Sequence, residues 1–273
     1  MTTIVNASLP ATEVRTIAAH SINQEYRISV AIPSSYAAHP ERSYPTIYLV
    51  DANVYFGMVT ELTRIMIGDE FPETIVVGIG YPVDEPLAEA NKEVFRLRAR
   101  DLTPIPDPTK AEDDGNPSGG AAAFLMFIQS ELIPLIEREY RANSGRRVLV
   151  GHSYGGLFTL YALFHQPDLF ASYVVGSPSL SYGNRVTFAY EAAFAEGRTS
   201  LPVKLYLGIG GREERVDDPM VSDFFQFVAH LESRTYEGLS LTKHIVENCG
   251  HCAFTASTFQ AGLQAVLSNH PNQ

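Results

Sequence analysis

Apolar and polar side chains alternate with a period of two over residues 13 to 19 and again over 25 to 32, on either side of Ser21-Ile22-Asn23-Gln24. That pattern predicts an antiparallel hairpin at a sheet edge, with one face buried. Further along, the period changes. Thr46-Ile47-Tyr48-Leu49-Val50 and Thr74-Ile75-Val76-Val77-Gly78-Ile79 are nearly unbroken β-forming runs, as in parallel strands covered on both faces. Between them Phe56, Val59, Leu62 and Ile65 recur at helical spacing. Short strands are predicted at 147–151, 173–175, 203–207 and 241–246. Helices are predicted at 120–140, from 154 to about His165, through Phe188, Tyr190 and Phe194, and near 219–234 and 254–267; Pro134 should kink the first of these or start a second segment. Strands alternating with helices give an α/β class, with a mainly parallel central sheet and helices on both faces.

Residues 82–119 interrupt the rhythm. They are rich in Pro, Asp and Gly and carry Arg96, Arg98 and Arg100. The segment reads as an inserted loop, either a lid over a site or a solvent loop. The chain as a whole, 1–273, reads as one domain with this insertion.

The strand Val148-Leu149-Val150 runs into Gly151-His152-Ser153-Tyr154-Gly155-Gly156 and then into LFTLYALF, read as an amphipathic helix. A G-x-S-x-G turn between strand and helix holds its serine at a strained backbone angle and presents the hydroxyl above the sheet. The N–H of Tyr154 and the positive end of the helix dipole then face a developing oxyanion. Such a turn is suited to acyl transfer.

Composition narrows the rest. A chain of 273 residues that is 45% hydrophobic can bury a full core. The formal charge of −11, without a run of Lys and Arg, argues against nucleic acid or an anionic membrane as partner. No stretch approaches a membrane span, and the first 30 residues carry no leader pattern, so a cytoplasmic protein is expected. With two cysteines there is no disulfide framework. The oligomeric state is open.

A serine hydroxyl needs a base, and the base needs an anion to fix its tautomer. An α/β-hydrolase sheet supplies these in the order serine, acid, histidine. Here Ser153 is followed by the acids Glu213, Glu214, Asp217 and Asp218 after one strand, and by His251 in a turn after the last. A second oxyanion donor, from Asn53 or Ala52, is expected in the turn after the 46–50 strand.

Six segments in order carry a resemblance to a known family: YLVDANVYF at 48–56, RARDLTP at 98–104, GGAAAFLMFIQSELIPLIEREYR at 119–141, GHSYGGLFTLYALF at 151–164, PDLFASYVVGSPSL at 167–180 and GIGGREE at 208–214. Over nearly its whole length the chain resembles the α/β-hydrolase family of esterases that includes the siderophore trilactone hydrolases. The resemblance implies an acid three residues beyond a strand-end glycine, which is Glu213 counted from Gly210 or Glu214 counted from Gly211. The catalytic set is then Ser153, His251 and Glu213, with Tyr154 and Asn53 as oxyanion donors and no metal or cofactor. Family members often carry tryptophan after the SPSL segment, where this chain has Ser181-Tyr182.

The expected substrate is a small-molecule ester, with short, largely uncharged acyl or aryl esters favoured by the negative balance of the chain. Specificity is expected in the insertion and in Tyr55, Phe56 and Tyr182 at the mouth. A siderophore trilactone would call on Arg96, Arg98 and Arg100, and an acyltransferase would share the same acyl-enzyme. Two readings come from other classes. Cys249-Gly250-His251-Cys252 spells a dithiol motif of disulfide oxidoreductases, but it lies late in a large sheet and lacks the preceding tryptophan. A fold that had lost activity and serves as a binding module would not be expected to keep Ser153, His251 and the acids.

Overall fold

Eight strands form one sheet in the computed structural model, which describes residues 8–68, 71–83, 87–107 and 117–268. In chain order they are β1 (Thr12–Ala19), β2 (Gln24–Ala31), β3 (Tyr44–Leu49), β4 (Ile75–Gly80), β5 (Ala142–His152), β6 (Ser172–Gly176), β7 (Lys204–Gly210) and β8 (Ser240–Val246). Their order across the sheet is β1-β2-β4-β3-β5-β6-β7-β8. The expected hairpin is the antiparallel pair β1 and β2, and β2 also runs antiparallel to β4. Every later pairing is parallel. This is the α/β-hydrolase arrangement.

Successive side chains of a strand point to opposite faces, so the central runs must be apolar at every position. Val148 and Val150 join a core beneath one face, while Leu149 joins the core on the other. The first face is covered by α1 (Ala52–Met66) and α8 (Thr255–Leu267), through Phe56, Val59, Phe259 and Leu263. The opposite face is covered by α2 (Leu87–Leu102), α3 (Ala121–Phe127), α4 (Ile133–Glu139), α5 (Tyr154–His165), α6 (Tyr182–Gly197) and α7 (Met220–Arg234).

Two expectations need correction. The insertion is not a plain loop, because α2 occupies 16 residues of it. Val94, Ala99 and Leu102 are buried on one side of α2, and Leu97 is half-buried. The intervening Lys92, Glu93 and Arg96 hid that stripe among Pro- and Asp-rich flanks. Residues 84–86 and 108–116 of the insertion lie outside the described residues. Second, α5 is not amphipathic, since Gly155 through Phe164 are all buried; a helix apolar on every side is one enclosed by its neighbours. The 120–140 helix divides as expected: a π turn spans Ile128–Leu132, and a second segment, α4, starts with Pro134 in its first turn. A proline is tolerated there because it has no N–H to donate.

A tight helix-to-sheet contact lies at Gly262 of α8. A Cβ on it would lie 2.4 Å from Cγ1 of Val174 and 2.9 Å from Cδ1 of Tyr206. Gly262→Ala should therefore destabilise the protein by about 1–3 kcal/mol in urea unfolding, even though alanine is the better helix former by about 1 kcal/mol. An unchanged midpoint would mean that α8 does not press on β6 as described.

Candidate active site

The strand β5 ends at His152, and Ser153 follows with φ 62° and ψ −120°. A non-glycine residue at positive φ costs about 1–3 kcal/mol and persists only where its surroundings hold it. Here the Ser153 N–H donates to Gly176 O at 2.9 Å, and the Ser153 carbonyl accepts from the Leu157 N–H at 2.9 Å. Gly151 makes the crossing possible, because a Cβ there would stand 2.2 Å from the Gly155 carbonyl oxygen. Ser153 thus sits at the N-terminus of α5, at the C-terminal edge of the sheet.

Two other strand ends bring a carboxylate and an imidazole together. Glu213 follows β7, and His251 lies in the turn after β8. His251 Nδ1 meets Glu213 Oε2 at 2.6 Å. The other carboxylate oxygen accepts from the Ser177 hydroxyl and from the Gly210 N–H, both at 2.6 Å. Burial pushes the Glu213 carboxyl up, but the hydrogen bonds from His251, Ser177 and Gly210 outweigh it and hold the group below the usual carboxylate range. The His251 ring lies 4.7 Å from the ring of His152, the residue before Ser153. Of the four acids in question, Glu213 is the one that meets His251. Glu214 instead accepts from the N–H groups of Val221 and Ser222 at the start of α7, Asp217 pairs with Arg215 on the surface, and Asp218 accepts from the Ser181 hydroxyl.

The turn after β3 forms the third side. Asp51 is the residue before α1, with φ 57° and ψ 36°, and its side chain makes no capping hydrogen bond. Arg98 of α2 takes that carboxylate in two hydrogen bonds, at 2.8 and 2.9 Å, and also donates to His152 O at 3.4 Å. The guanidinium lies over the rings of Tyr154 and Phe95, at 5.3 and 5.6 Å. Burial alone would lower the Arg98 pKa, but the charge and hydrogen bonds of Asp51 raise it above the usual arginine value. With Asp51 occupied, the first N–H groups of α1, on Ala52 and Asn53, have no side-chain cap. The Asn53 side chain is tied to β4 by a reciprocal pair, accepting from the Tyr81 N–H at 2.7 Å and donating to Tyr81 O at 2.9 Å.

Comparison with known proteins supplies the family. Residues 19–267 match the family model described as "Putative esterase". The chain belongs to the esterase family. It is 35% identical to the ferri-bacillibactin esterase BesA of Bacillus subtilis over 97% of this chain and 92% of that protein. A siderophore enterobactin esterase of Emericella nidulans is also 35% identical, over 69% of this chain and 66% of its own length. Among solved structures, the BES protein from Bacillus cereus superposes with a TM-score of 0.85 at 26% identity, covering 98% of this chain and all of that one. The protein is an ester-hydrolysing enzyme.

Several side chains of this esterase lie where the sequence did not put them. Phe56 is not at a mouth but in the core, against Gly78 of β4. Tyr55 is half-buried, with its ring edge-on to Phe259 and its hydroxyl 3.5 Å from His152 Nδ1. Tyr182 packs edge-on to Tyr154 and donates to Ile105 O at 2.9 Å, joining α6 to the insertion. The three arginines do not form a basic cluster, since Arg96 pairs with Glu93, Arg98 with Asp51 and Arg100 with Asp101. A cavity of about 410 Å³ opens beside the start of α1, lined by Ala52, Asn53, Gly80, Val83, Ala90 and Val94. A larger one, about 870 Å³, lies away from Ser153 at the end of the β1–β2 hairpin. Cys249 is half-buried and Cys252 exposed, both as free thiols. Among the described residues no helix is long and apolar enough to cross a membrane.

The sequence reading missed the parts played by Asp51, Arg98 and Ser177. A signal existed for the first two, in the aspartate that ends YLVD and the arginine inside RARD, but their pairing is between residues 47 apart. Arg98→Met should destabilise the fold by about 3–5 kcal/mol, because it leaves the Asp51 carboxylate buried without its partner. The double variant Arg98→Met, Asp51→Asn should recover part of that loss. A cycle in thermal or urea unfolding without coupling between the two changes would refute this account.

Proposed function

We propose that this esterase cleaves its substrate through an acyl-enzyme on Ser153, with His251 as general base and Glu213 as the anion that orients it. Glu213 holds Nδ1 of His251, which leaves Nε2 to take the serine proton and later return it to the leaving alcohol. The tetrahedral oxyanion is received by the N–H of Tyr154 at the start of α5 and that of Asn53 at the start of α1. Both are first-turn donors of helices, where the dipole favours negative charge. Diverting the Asp51 carboxylate to Arg98 keeps the second helix start open for the substrate oxygen. Water then releases the acyl group. The observation that carries this chemistry is the 2.6 Å contact between His251 and Glu213, with the His251 ring 4.7 Å from that of His152, the residue before the strained serine.

For the substrate, the relatives support a siderophore ester, with the insertion around α2 as the cover of the pocket. Phe95, Tyr154 and Tyr182 give that cover an aromatic lining over the serine. A second reading, small uncharged acyl or aryl esters, is favoured by the pairing of Arg96, Arg98 and Arg100 with carboxylates, which leaves them no surplus charge for an anionic ligand. The whole chain is proposed to act as one domain.

Ser153→Ala should lower kcat by at least about a thousandfold, and a fluorophosphonate probe should label Ser153 in the wild type. Glu213→Gln should cost about 10³- to 10⁴-fold, while Glu214→Gln stays within about threefold, because amide replacement releases the imidazole tautomer only at the true partner. The reverse ranking would reassign the acid. On a panel of siderophore macrolactones and p-nitrophenyl esters of graded length, kcat/KM should be highest for a siderophore ester. A maximum on a short neutral ester would select the second reading instead.

A further inference from the structure

His152 has no part in the chemistry above, yet it is 1% exposed and lies directly behind the base. His251 occupies a turn closed by the Ala253 N–H donating to Gly250 O at 3.1 Å, and the turn is tied to the neighbouring loop by the Arg212 N–H donating to Cys249 O at 2.9 Å. One hydrogen bond to Glu213 fixes a single ring atom and leaves the imidazole free to swing about it. A second contact is needed to hold the plane. The His152 ring supplies that contact, 4.7 Å away and tilted by 50°.

His152 is itself held on several sides. Its ring lies 6.0 Å from Tyr55 and 5.8 Å from Phe254, and its Cδ2 stands 3.1 Å from the point where a Cβ on Gly176 would be. Its Nδ1 reaches the Tyr55 hydroxyl at 3.5 Å, the limit of a hydrogen bond, and the ring also faces the backbone of His251. The ring is therefore kept in place by packing more than by a polar network.

We propose that His152 is a positioning residue that holds the His251 imidazole against Glu213 while never touching the substrate; this rests on His251 being the base. Charge supports the role. The groups that face His152 are His251 and Glu213 from the loops after β8 and β7, Asp51 from the end of β3, and Tyr55 from α1. Burial, and next the neighbouring His251, push the His152 pKa down to about 4. Near neutral pH the ring is thus uncharged and does not oppose the imidazolium that forms on His251 during acyl transfer.

The test combines kinetics with proton NMR of the hydrogen shared by His251 Nδ1 and Glu213, assigned by its loss in Glu213→Gln. His152→Ala should lower kcat about 10- to 100-fold, as expected of a displaced catalytic group, with KM changed by less than about threefold. The shared-proton signal should broaden or vanish. His152→Phe, which keeps a flat ring in the same space, should restore kcat to within about fivefold of wild type and recover the signal. A sharp signal and a kcat within about threefold of wild type in His152→Ala would overturn the proposal, as would a Phe variant as damaged as the Ala one. If the wild type hydrolyses no ester, the acyl-enzyme reading fails and the NMR signal alone decides on the positioning role. Should His152→Ala not fold, Gly176→Ala, whose methyl would press on Cδ2, is read in the same way: loss of kcat and signal supports the role, and wild-type values overturn it.

Discussion

The site depends on one backbone constraint, the left-handed turn at Ser153. A residue at φ 62° and ψ −120° is stable only when both of its peptide groups are held from outside. Hydrogen bonds to Gly176 of β6 and from Leu157 of α5 do this, and the missing side chain of Gly151 lets the two elements cross. The turn therefore requires β5 and β6 to be paired and α5 to start at the serine. The helix is apolar on every side because its neighbours enclose it.

Two buried carboxylates, satisfied in different ways, stand on either side of the turn. Glu213 is dressed by three donors, one of them the base itself, so its charge is retained in a buried place. Asp51 is satisfied by one arginine in a two-bond fork, and that arginine comes from the insertion. The first arrangement fixes one ring nitrogen of His251. The second ties α2 to the start of α1, so the seating of the two helices is coupled through one contact. Removing either partner would disturb both.

The acidic balance of the chain, read against the paired arginines, bears on the substrate. At physiological ionic strength, charges beyond about 8 Å are largely screened, so the local arrangement at the pocket outweighs the net −11. Arg98, which donates to His152 O next to Ser153, already has its carboxylate. Its guanidinium is covered by the rings of Tyr154 and Phe95 and offers no free charge there.

The sequence by itself determined the periodicity of strands and helices, the edge hairpin, the strand-serine-helix turn and the order of serine, acid and histidine along the chain. Those features are local, written in spacing and in glycines that a close approach requires. What only the tertiary structure decided involves residues far apart in the chain. Glu213 and Glu214 are adjacent and chemically alike, and they are told apart because one points at the turn after β8 while the other caps α7. The helix α2 is too polar to be read as one alone, and its stripe of Val94, Ala99 and Leu102 has meaning only with the core beside it. Phe56 is aromatic and follows the β3 turn, as a pocket residue would, yet the helical angle of α1 turns it onto Gly78. Arg98 finds Asp51 across 47 residues because the insertion folds back over the sheet. Spacing specifies which side chains share a face of one element, whereas the pairing of faces is settled when the elements pack.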